Sequence, residues 1–390
     1  MRDSHYVFTS ESVTEGHPDK LCDRLSDAIV GRYLARDPGA RVAAECAVST
    51  GIVFVSVKYR SPVRMDVTTL VRDVVRRTGY SAAELDWRSC TVMTSIHEMT
   101  RPRIGPPGVD PETIVADGEG TVYGYACNHT QALMPLPIWL AHKIARRLAH
   151  ARKDGLPYLS TDGKTQVSVE LQGSRPRRIF GVTVIAASAD QDGPKAARLN
   201  REVEEYVVRP AFQEEEIRPD ERTRITINPE GQGNGGPSIH AGLTGRKTAV
   251  DTYGEFARHS GAALSGKDIG RIDRTGTYAA RWIAKNVVAA GLADACEVQL
   301  SWAIGMPRPV SVHVETFGTA SVSDDEIERR IGQAFDLSVA TIIDDLELRQ
   351  LPALEHGELF ERLAAYGHVG RTDLVLPWEA LDRVDRLKAA

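Results

Sequence analysis

Cysteine is scarce and unpatterned in this chain of 390 residues. The five cysteines are Cys22, Cys46, Cys90, Cys127 and Cys296. Their number is odd and no two have C-x-x-C spacing, which argues against a disulfide framework and against a zinc site. We expect them to be small buried side chains.

Long apolar runs and a strong charge imbalance are also missing. No stretch approaches the roughly 20 apolar residues needed to cross a bilayer, and the first residues do not resemble a signal peptide. We therefore expect a soluble cytoplasmic protein without a membrane partner. Lysine and arginine number 48 against 53 aspartates and glutamates, giving a net charge of −5, which argues against nucleic acid as a partner. A small molecule is the expected ligand.

What the sequence does contain is a pattern used three times. Apolar residues recur at helical spacing in three segments, each followed by alternating strands. The helical positions are Leu21, Leu25, Ala28 and Ile29, then Ala141, Ile144, Ala145 and Leu148, then Ala280, Ile283, Ala284, Val287 and Val288. The strands are predicted around Val53–Tyr59, Val167–Leu171 and Val298–Ile304, and the last two turn back as hairpins into 179–185 and 310–314.

A charged helix closes each unit, at 67–77, 197–208 and 324–335. Strands with one polar face predict mainly antiparallel sheets covered on one side by helices. The fold class is therefore predicted as α+β with three similar subdomains, N-terminal 1–110, central 111–236 and C-terminal 237–390. Residues 101–110, rich in proline and glycine, are either a mobile lid or a surface connection.

Two glycine-rich runs resemble phosphate-binding motifs without matching them. Gly231–Pro237 fits G-x-G-x-x-G, but no helix is expected to begin there, so an anion nest is favoured over a dinucleotide fingerprint. Gly261–Asp268 is one residue from a P-loop, with Asp268 where serine or threonine should hold magnesium. A true P-loop is therefore rejected, although Lys267 remains a candidate phosphate contact.

Two charged clusters could carry chemistry or be ordinary surface. Near the N-terminus, His17, Asp19 and Lys20 stand at a loop-to-helix junction, where Asp19 could instead be an N-cap and Lys20 a solvated side chain. Further on, basic and acidic residues interleave in a way that suits a polyphosphate bound partly through Mg²⁺, or a solvated charged face. These residues are Arg246, Lys247, Lys267, Arg271, Arg274, Asp251, Asp268 and Asp273.

Several motifs, spread over nearly the whole chain, resemble the S-adenosylmethionine synthetase family. They are Phe8–Lys20, Gly242–Lys247, Val250–Gly254, Ser265–Asp268, Tyr278–Arg281, Val314–Thr319 and Tyr366–His368. The resemblance implies three similar α+β subdomains about a pseudo-threefold axis. It also implies a homodimer or a dimer of dimers, with active sites between subunits.

The resemblance further implies particular residue roles. It assigns ATP and its phosphates to His17, Asp162, Lys164, Arg246, Lys247, Ala263, Lys267 and Arg271, although the family usually has lysine at the last position. Among these and Lys20, the implied catalytic residues are His17, Lys20, Lys164, Arg246 and Lys267. Asp19 and Asp273 are implied ligands of two Mg²⁺ ions, and Glu45 of K⁺.

The acceptor and adenine sides depart from the family pattern. Lys58 and His240 stand where carboxylates are expected, Gly118 replaces an aspartate, and Met99 stands near an expected glutamine. These changes would leave the ammonium of methionine without partners, unless Asp117 or Glu119 compensates. Gln232-Gly233 replaces an Arg-Phe pair, so the aromatic that would stack on adenine is missing.

Three hypotheses follow from this resemblance. In the first, the chain transfers the adenosyl group of ATP to the sulfur of methionine and hydrolyses the released triphosphate. In the second, the same transfer goes to an acceptor that is less cationic or more anionic, as Lys58 and His240 would favour. In the third, the chain is an inactive paralogue that binds nucleotide.

Overall fold

The structure, a computed structural model, describes residues 5–188, 195–231 and 233–389. Apart from two strands of 14 residues, its strands have nine residues or fewer and are bounded by turn residues. They are β1 His5–Val13, β2 Arg41–Ser49, β3 Ile52–Arg60, β4 Thr91–Glu98, β5 Gly120–Cys127, β6 Leu159–Gln172, β7 Arg175–Ser188, β8 Arg224–Ile227, β9 Gly242–Leu243, β10 Ala295–Trp302 and β11 Ser311–Glu315.

The helices include three long ones that form the inner layer, α1, α4 and α8. All α-helices of the described ranges are α1 Pro18–Arg36, α2 Val67–Thr78, α3 Ala82–Leu85, α4 Leu136–Asp154, α5 Ala196–Val203, α6 Arg209–Ala211, α7 Thr248–Asp251, α8 Ile272–Ala289, α9 Asp324–Ala334, α10 Val339–Asp345, α11 Leu351–Leu354, α12 Leu359–Leu363 and α13 Val384–Ala389. A wider turn at Glu204–Val208 continues α5 towards α6.

The threefold repeat predicted from periodicity is confirmed. Each unit runs long helix, antiparallel strand pair, amphipathic helix: α1-β2-β3-α2, then α4-β6-β7-α5, then α8-β10-β11-α9. Ser323 caps α9 by accepting a hydrogen bond from the Glu326 N–H at 3.2 Å, ahead of an acidic first turn. The predicted strand at Val298–Ile304 ends two residues early, at Trp302.

The three sheets exchange strands in a cycle, which periodicity did not reveal. β1 pairs with β6 in the order β1-β6-β7-β8, β5 pairs with β10 in β11-β10-β5, and β9 pairs with β2 in β4-β3-β2-β9. Each third of the chain therefore contributes one strand to the sheet of another third. Because of this exchange, the predicted boundaries at 110 and 236 do not separate the three sheets from one another. The boundaries themselves stay a prediction.

Burial follows from this architecture. α1 and α8 are enclosed nearly all round, and both carry charged residues into the interior. All five cysteines are free and buried, as expected. No helix in the described ranges is long and apolar enough to cross a membrane.

Candidate active site

A cavity of about 650 Å³ opens between the strands β2 and β3 and the segments that follow β9 and precede α8. It gathers six of the residues expected at the site: Glu45, Lys58, Met99, Ala263, Lys267 and Arg271. Residues predicted from distant parts of the chain thus line the same cavity. Phe54, Arg101, Asp117 and Thr244 also line it, and the sequence did not single out Phe54 or Thr244 for this role.

The first turn of α1 anchors one edge of the site. His17 is the N-cap: its Nδ1 accepts a hydrogen bond from the Asp19 N–H at 3.2 Å, and Pro18 follows at the first helical position. Gly242 is required here, because a Cβ at that position would lie 2.1 Å from the Pro18 carbonyl carbon. The close approach lets the helix start contact β9 directly.

Asp19 joins this helix start to the segment after β9. Its Oδ1 accepts from the Leu243 N–H at 3.0 Å, and its Oδ2 lies 2.9 Å from the Lys247 Nζ. The Arg246 Nε is 3.7 Å from the Asp19 Oδ1, with half of its side chain exposed. Burial raises the pKa of Asp19, but the bonds from Lys247 and Leu243 outweigh it and the pKa lies below its usual value. Asp19 is therefore anionic.

Two more aspartates of α1, each one turn further along, bond the loops that carry two of the cations expected to contact phosphate. Asp23 Oδ1 accepts from the Gly245 N–H at 2.7 Å, and Asp27 Oδ1 accepts from the Gly266 N–H at 2.8 Å. Each glycine directly precedes one of the expected cations. The spacing of four residues puts the carboxylates on one helix face. That spacing was visible in the sequence but was not recognised as a signal.

Lys267, which lines the cavity, and Asp273 form a second charged pair. Lys267 Nζ lies 2.6 Å from Asp273 Oδ2, and Arg271 Nη2 lies 3.9 Å from the same oxygen. Burial lowers the pKa of Lys267, although Asp273 opposes the shift. Asp268 faces inward and accepts from the Val42 N–H at 2.7 Å, which ties this loop to β2. Asp268 is thus a structural clamp, consistent with the rejection of a P-loop.

The structure does not bring Lys20 to the cavity. Its Nζ is fully buried, 2.9 Å from Asp23 Oδ2 and in contact with Asp251. Burial lowers the pKa of Lys20, but the two carboxylates outweigh it and the pKa is raised. A side chain enclosed in this way cannot touch a ligand, so the expected catalytic role of Lys20 is corrected to a structural one. Arg274, expected in the charged cluster, is likewise buried against Asp27.

A third group of residues gathers beside α1. His240 Nε2 lies 3.0 Å from Asp162 Oδ2, and the same oxygen accepts from the Gly236 N–H at 2.8 Å. The rings of His17 and His240 are 4.9 Å apart. Burial, with a further contribution from nearby Lys247, lowers the pKa of His17 to about 4, so this imidazole is neutral near pH 7.

The glycine-rich run packs against Asp162 and donates a hydrogen bond to it. A Cβ at Gly235 would lie 2.8 Å from the Asp162 Cβ, so only glycine allows this approach. No helix begins among its described residues, which confirms that it is not a dinucleotide fingerprint. Gln232, one of the two residues at the expected adenine position, lies outside the described residues.

Lys164 and Gly118 are also absent from the cavity lining. Lys164 is exposed on β6 and pairs in register with Ile185, away from the cavity lining. Gly118 has a φ of +151°, and a Cβ there would lie 3.9 Å from Arg271 Nη2, so a side chain at this position would point to the edge of the cavity.

Residues 101–110 pack against the body of the protein. Arg101 lines the cavity and contacts Asp117. Ile104 is buried, and its N–H donates to the Gly39 carbonyl at 2.9 Å. The Gly108 N–H donates to Asp344 Oδ2 at 3.2 Å. The segment is therefore a packed surface connection that contributes one residue to the cavity lining. A lid motion stays a prediction.

Comparison with known proteins finds similarity along nearly the whole chain. Descriptions of S-adenosylmethionine synthetase match in three parts: the N-terminal domain at residues 5–101, the central domain at 113–233 and the C-terminal domain at 234–380. A protein of Gloeobacter violaceus named S-adenosylmethionine synthase is 46% identical, over 99% of this chain and 98% of its own length. Proteins with the same name from Acaryochloris marina and Clostridium botulinum are 45% and 44% identical, over 99% and 98% of this chain and 97% and 98% of their own lengths.

The three matches together span nearly every described residue, and the relatives align from end to end. The α+β fold with three similar subdomains accords with them. The chain belongs to the S-adenosylmethionine synthetase family.

Proposed function

We propose that the protein is a transferase that moves the adenosyl group of ATP to the sulfur of methionine, releases triphosphate and hydrolyses it to pyrophosphate and phosphate. The observation that carries the proposal is the presence of two lysine–aspartate contacts, Lys247–Asp19 at the start of α1 and Lys267–Asp273 beside the cavity. Lysines placed beside carboxylates suit a polyphosphate that is bound partly through Mg²⁺. Similarity over the full chain to relatives named S-adenosylmethionine synthase favours methionine over another acceptor.

The reaction asks little proton transfer of the protein. A thioether sulfur has no proton to lose, so the sulfur attacks C5′ of ATP directly and the triphosphate leaves with the bonding electron pair. Catalysis then depends on alignment and on stabilising negative charge at the leaving oxygen. Lys267, Arg271 and Arg246 supply positive charge, and neutral His17 can donate a hydrogen bond from Nε2.

The family uses a divalent metal and K⁺, and the donor set here fits both. Asp19 and Asp273 offer carboxylate oxygens, the ligands that Mg²⁺ prefers, and each is already shared with only one close lysine. We propose that they hold two Mg²⁺ ions, which would neutralise phosphate charge when bound. Glu45, exposed on β2 within the cavity lining, is the proposed K⁺ ligand.

The acceptor side can be accounted for without the family's carboxylates. Asp117 lines the cavity, 3.6 Å from Arg41 Nη1 and in contact with Arg101, while Glu119 is exposed outside the lining. We propose that the methionine ammonium takes the place of the Arg101 guanidinium at Asp117. Lys58 and Arg271 then face the carboxylate of the amino acid, and Met99 contacts its side chain.

A second copy of the chain is the proposed partner, as a dimer or a dimer of dimers. Outward-facing apolar side chains stand on two sheets: Ile52, Phe54 and Met93 on one, Phe180 and Ile185 on the other. Exposed apolar residues grouped on one face commonly mark a protein–protein contact. Lys164 shares the outer face of β6–β7 with Ile185. If a partner subunit covers this face, Lys164 of one subunit would face the cavity of the other.

The oligomer can be tested by sedimentation velocity. Met93→Glu places a charge on the proposed interface and should produce monomers that keep the far-ultraviolet spectrum of the parent. Glu98→Gln, at the exposed end of the same strand, is the control and should stay oligomeric. A parent protein that sediments as a monomer would refute the proposal.

The activity is tested by incubating the protein with ATP, Mg²⁺ and K⁺, with and without methionine, and identifying products by mass spectrometry. S-adenosylmethionine formed only with methionine supports the proposal. Triphosphate cleavage with no adenosyl product from methionine would favour another acceptor, and no turnover at all would favour an inactive paralogue. A cytoplasmic location stays a prediction from the sequence.

A further inference from the structure

Three side chains beside the nucleotide residues have the arrangement of a metal site different from the carboxylate sites proposed for Mg²⁺. His17, Asp162 and His240 each present one ligand atom, and these atoms all lie within 4.8 Å of one another. The group joins three separate parts of the fold: the N-cap of α1, strand β6 and the turn before β9.

An unsatisfied atom points to a missing ligand at this place. Asp162 is 4% exposed, and its Oδ1 has no hydrogen-bond partner among the described residues, while its Oδ2 accepts from both Gly236 and His240. A buried carboxylate oxygen without a partner is unfavourable. A cation bound to Oδ1 would remove that deficit.

We propose that His17, Asp162 and His240 bind a borderline divalent transition metal such as Zn²⁺, Co²⁺ or Ni²⁺. Two imidazole nitrogens and one carboxylate oxygen suit these ions and do not suit Mg²⁺, which prefers oxygen ligands. His240 stands where the family pattern is expected to have an aspartate. The pair of histidines is therefore a departure of this chain from that pattern. The proposal does not depend on adenosyl transfer.

The geometry requires a modest closure. Ligand atoms of a tetrahedral zinc site lie about 3.3 Å apart, so a separation at the 4.8 Å limit must shorten by about a third. His240 can move, because its side chain is 34% exposed and lies in a turn. A water molecule or a phosphate oxygen would complete the four ligands.

Asp19 is placed to support the metal through His17. Binding at Nε2 puts the ring proton on Nδ1, which now accepts from the Asp19 N–H at 3.2 Å and lies 3.9 Å from Asp19 Oδ2. A small rotation of the ring would exchange the first contact for a bond donated to the carboxylate. Metal-bound histidines commonly have such a carboxylate partner.

Because His17 and Asp162 are also proposed ATP contacts, a metal at this site would overlap the nucleotide. The proposal therefore assigns to this chain a sensitivity of ATP binding to transition metals that the Mg²⁺ sites alone would not give.

The test measures metal binding by the full, tag-free chain without nucleotide. We expect Zn²⁺ titration calorimetry to show one site per chain, and Co²⁺ to give the visible absorption of a tetrahedral nitrogen and oxygen site. His240→Asn should weaken binding by about tenfold or more. His313→Asn, an exposed histidine 3.4 Å from Glu328, is the control and should bind like the parent.

The same experiment can overturn the proposal. Equal Zn²⁺ affinity in the parent and in His240→Asn would do so, and so would a Co²⁺ spectrum dominated by thiolate charge transfer, which would place the ion on cysteine. Asp162→Asn should repeat the loss. If that variant fails to fold, His240→Asn, whose side chain is partly exposed, still decides the result.

Discussion

Lys20 and Lys267 come from two of the most recognisable motifs of the chain, and both contact aspartate, yet the fold uses them in opposite ways. Lys20 is fully buried between two carboxylates, and its pKa is raised. Lys267 has one close carboxylate, keeps 18% of its side chain exposed at the cavity, and has a lowered pKa. A motif lysine is thus available to a ligand only where part of its side chain reaches the cavity.

The two regions are connected through α1. Asp23, which pairs with Lys20, also accepts the Gly245 N–H, and Asp27 accepts the Gly266 N–H just before Lys267. The buried charges therefore fix the backbone from which the cavity cations project. Removing a cavity lysine should affect turnover, whereas removing the buried lysine should affect stability.

The largest expected effect is on turnover, from Lys267→Met. Loss of a positive group aimed at developing negative charge should lower kcat/KM by about 10²–10³-fold. Arg271 remains near Asp273, so the free energy of unfolding should change by less than about 1 kcal/mol. Steady-state kinetics and urea unfolding measure the two quantities. Activity within a few-fold of the parent would show that Lys267 is not a phosphate contact.

Lys20→Met should instead destabilise the protein. Removing one member of a fully buried ionic group leaves uncompensated carboxylates and costs about 3–5 kcal/mol of unfolding free energy. Arg60→Met is the control: Arg60 forms an exposed pair with Glu98 at 2.6 Å, and its removal should change stability by about 1 kcal/mol or less. Equal stability of the two variants would break the comparison.

His17 predicts a dependence of stability on pH. The ordinary histidine pKa of 6.5 applies to the unfolded chain, and burial lowers the folded value to about 4. The unfolded state therefore takes up the proton first, and stability present above about pH 6.5 is lost as the pH falls towards 4.

Comparison with His17→Asn isolates this effect, because asparagine can still cap α1. Between about pH 7.5 and 4.5 the parent should lose about 2–3 kcal/mol more unfolding free energy than the variant. Urea titrations at each pH measure the difference. Parallel pH profiles for the two proteins would mean that His17 is not held neutral by burial.

Asp117→Asn is expected to have the smallest effect, and it acts on the acceptor alone. If Asp117 pairs with the methionine ammonium, its neutralisation should raise the KM for methionine by about tenfold and leave the KM for ATP unchanged. Glu119→Gln, the exposed neighbour outside the cavity lining, should behave like the parent. A rise in both KM values would assign Asp117 to the general shape of the cavity.

Periodicity was sufficient for the elements of the repeat and insufficient for their pairing. The helices around Leu21, Ala141 and Ala280, the strand at 53–59 and the last two hairpins lie where the apolar spacing predicted them, whereas β2, the other strand of the first hairpin, was not predicted. The exchange of β1, β5 and β9 between sheets was not predicted, because strand alternation shows which side is buried but not which strand is adjacent. β4 was missed for another reason: it is mostly exposed and shows no clean alternation.

For the site, the sequence indicated the chemistry and the resemblance indicated the residues. Asp19, Lys247, Lys267 and Asp273 were expected together, and the structure gathers them in two pairs, Asp19 with Lys247 and Lys267 with Asp273. Lys20 was expected with them and is not there. The difference arises because the sequence gives charge and order along the chain, while exposure depends on what packs against the side chain.

The sequence by itself determined the fold class, the threefold repeat and the family, because these depend on local spacing and on long motifs. Only the tertiary structure decided how the charged residues divide between the interior and the cavity. Asp23, Asp27 and Asp251 became structural because a backbone N–H group or a buried cation from a segment more than 200 residues away bonds one oxygen of each. Such pairings have no counterpart in local sequence.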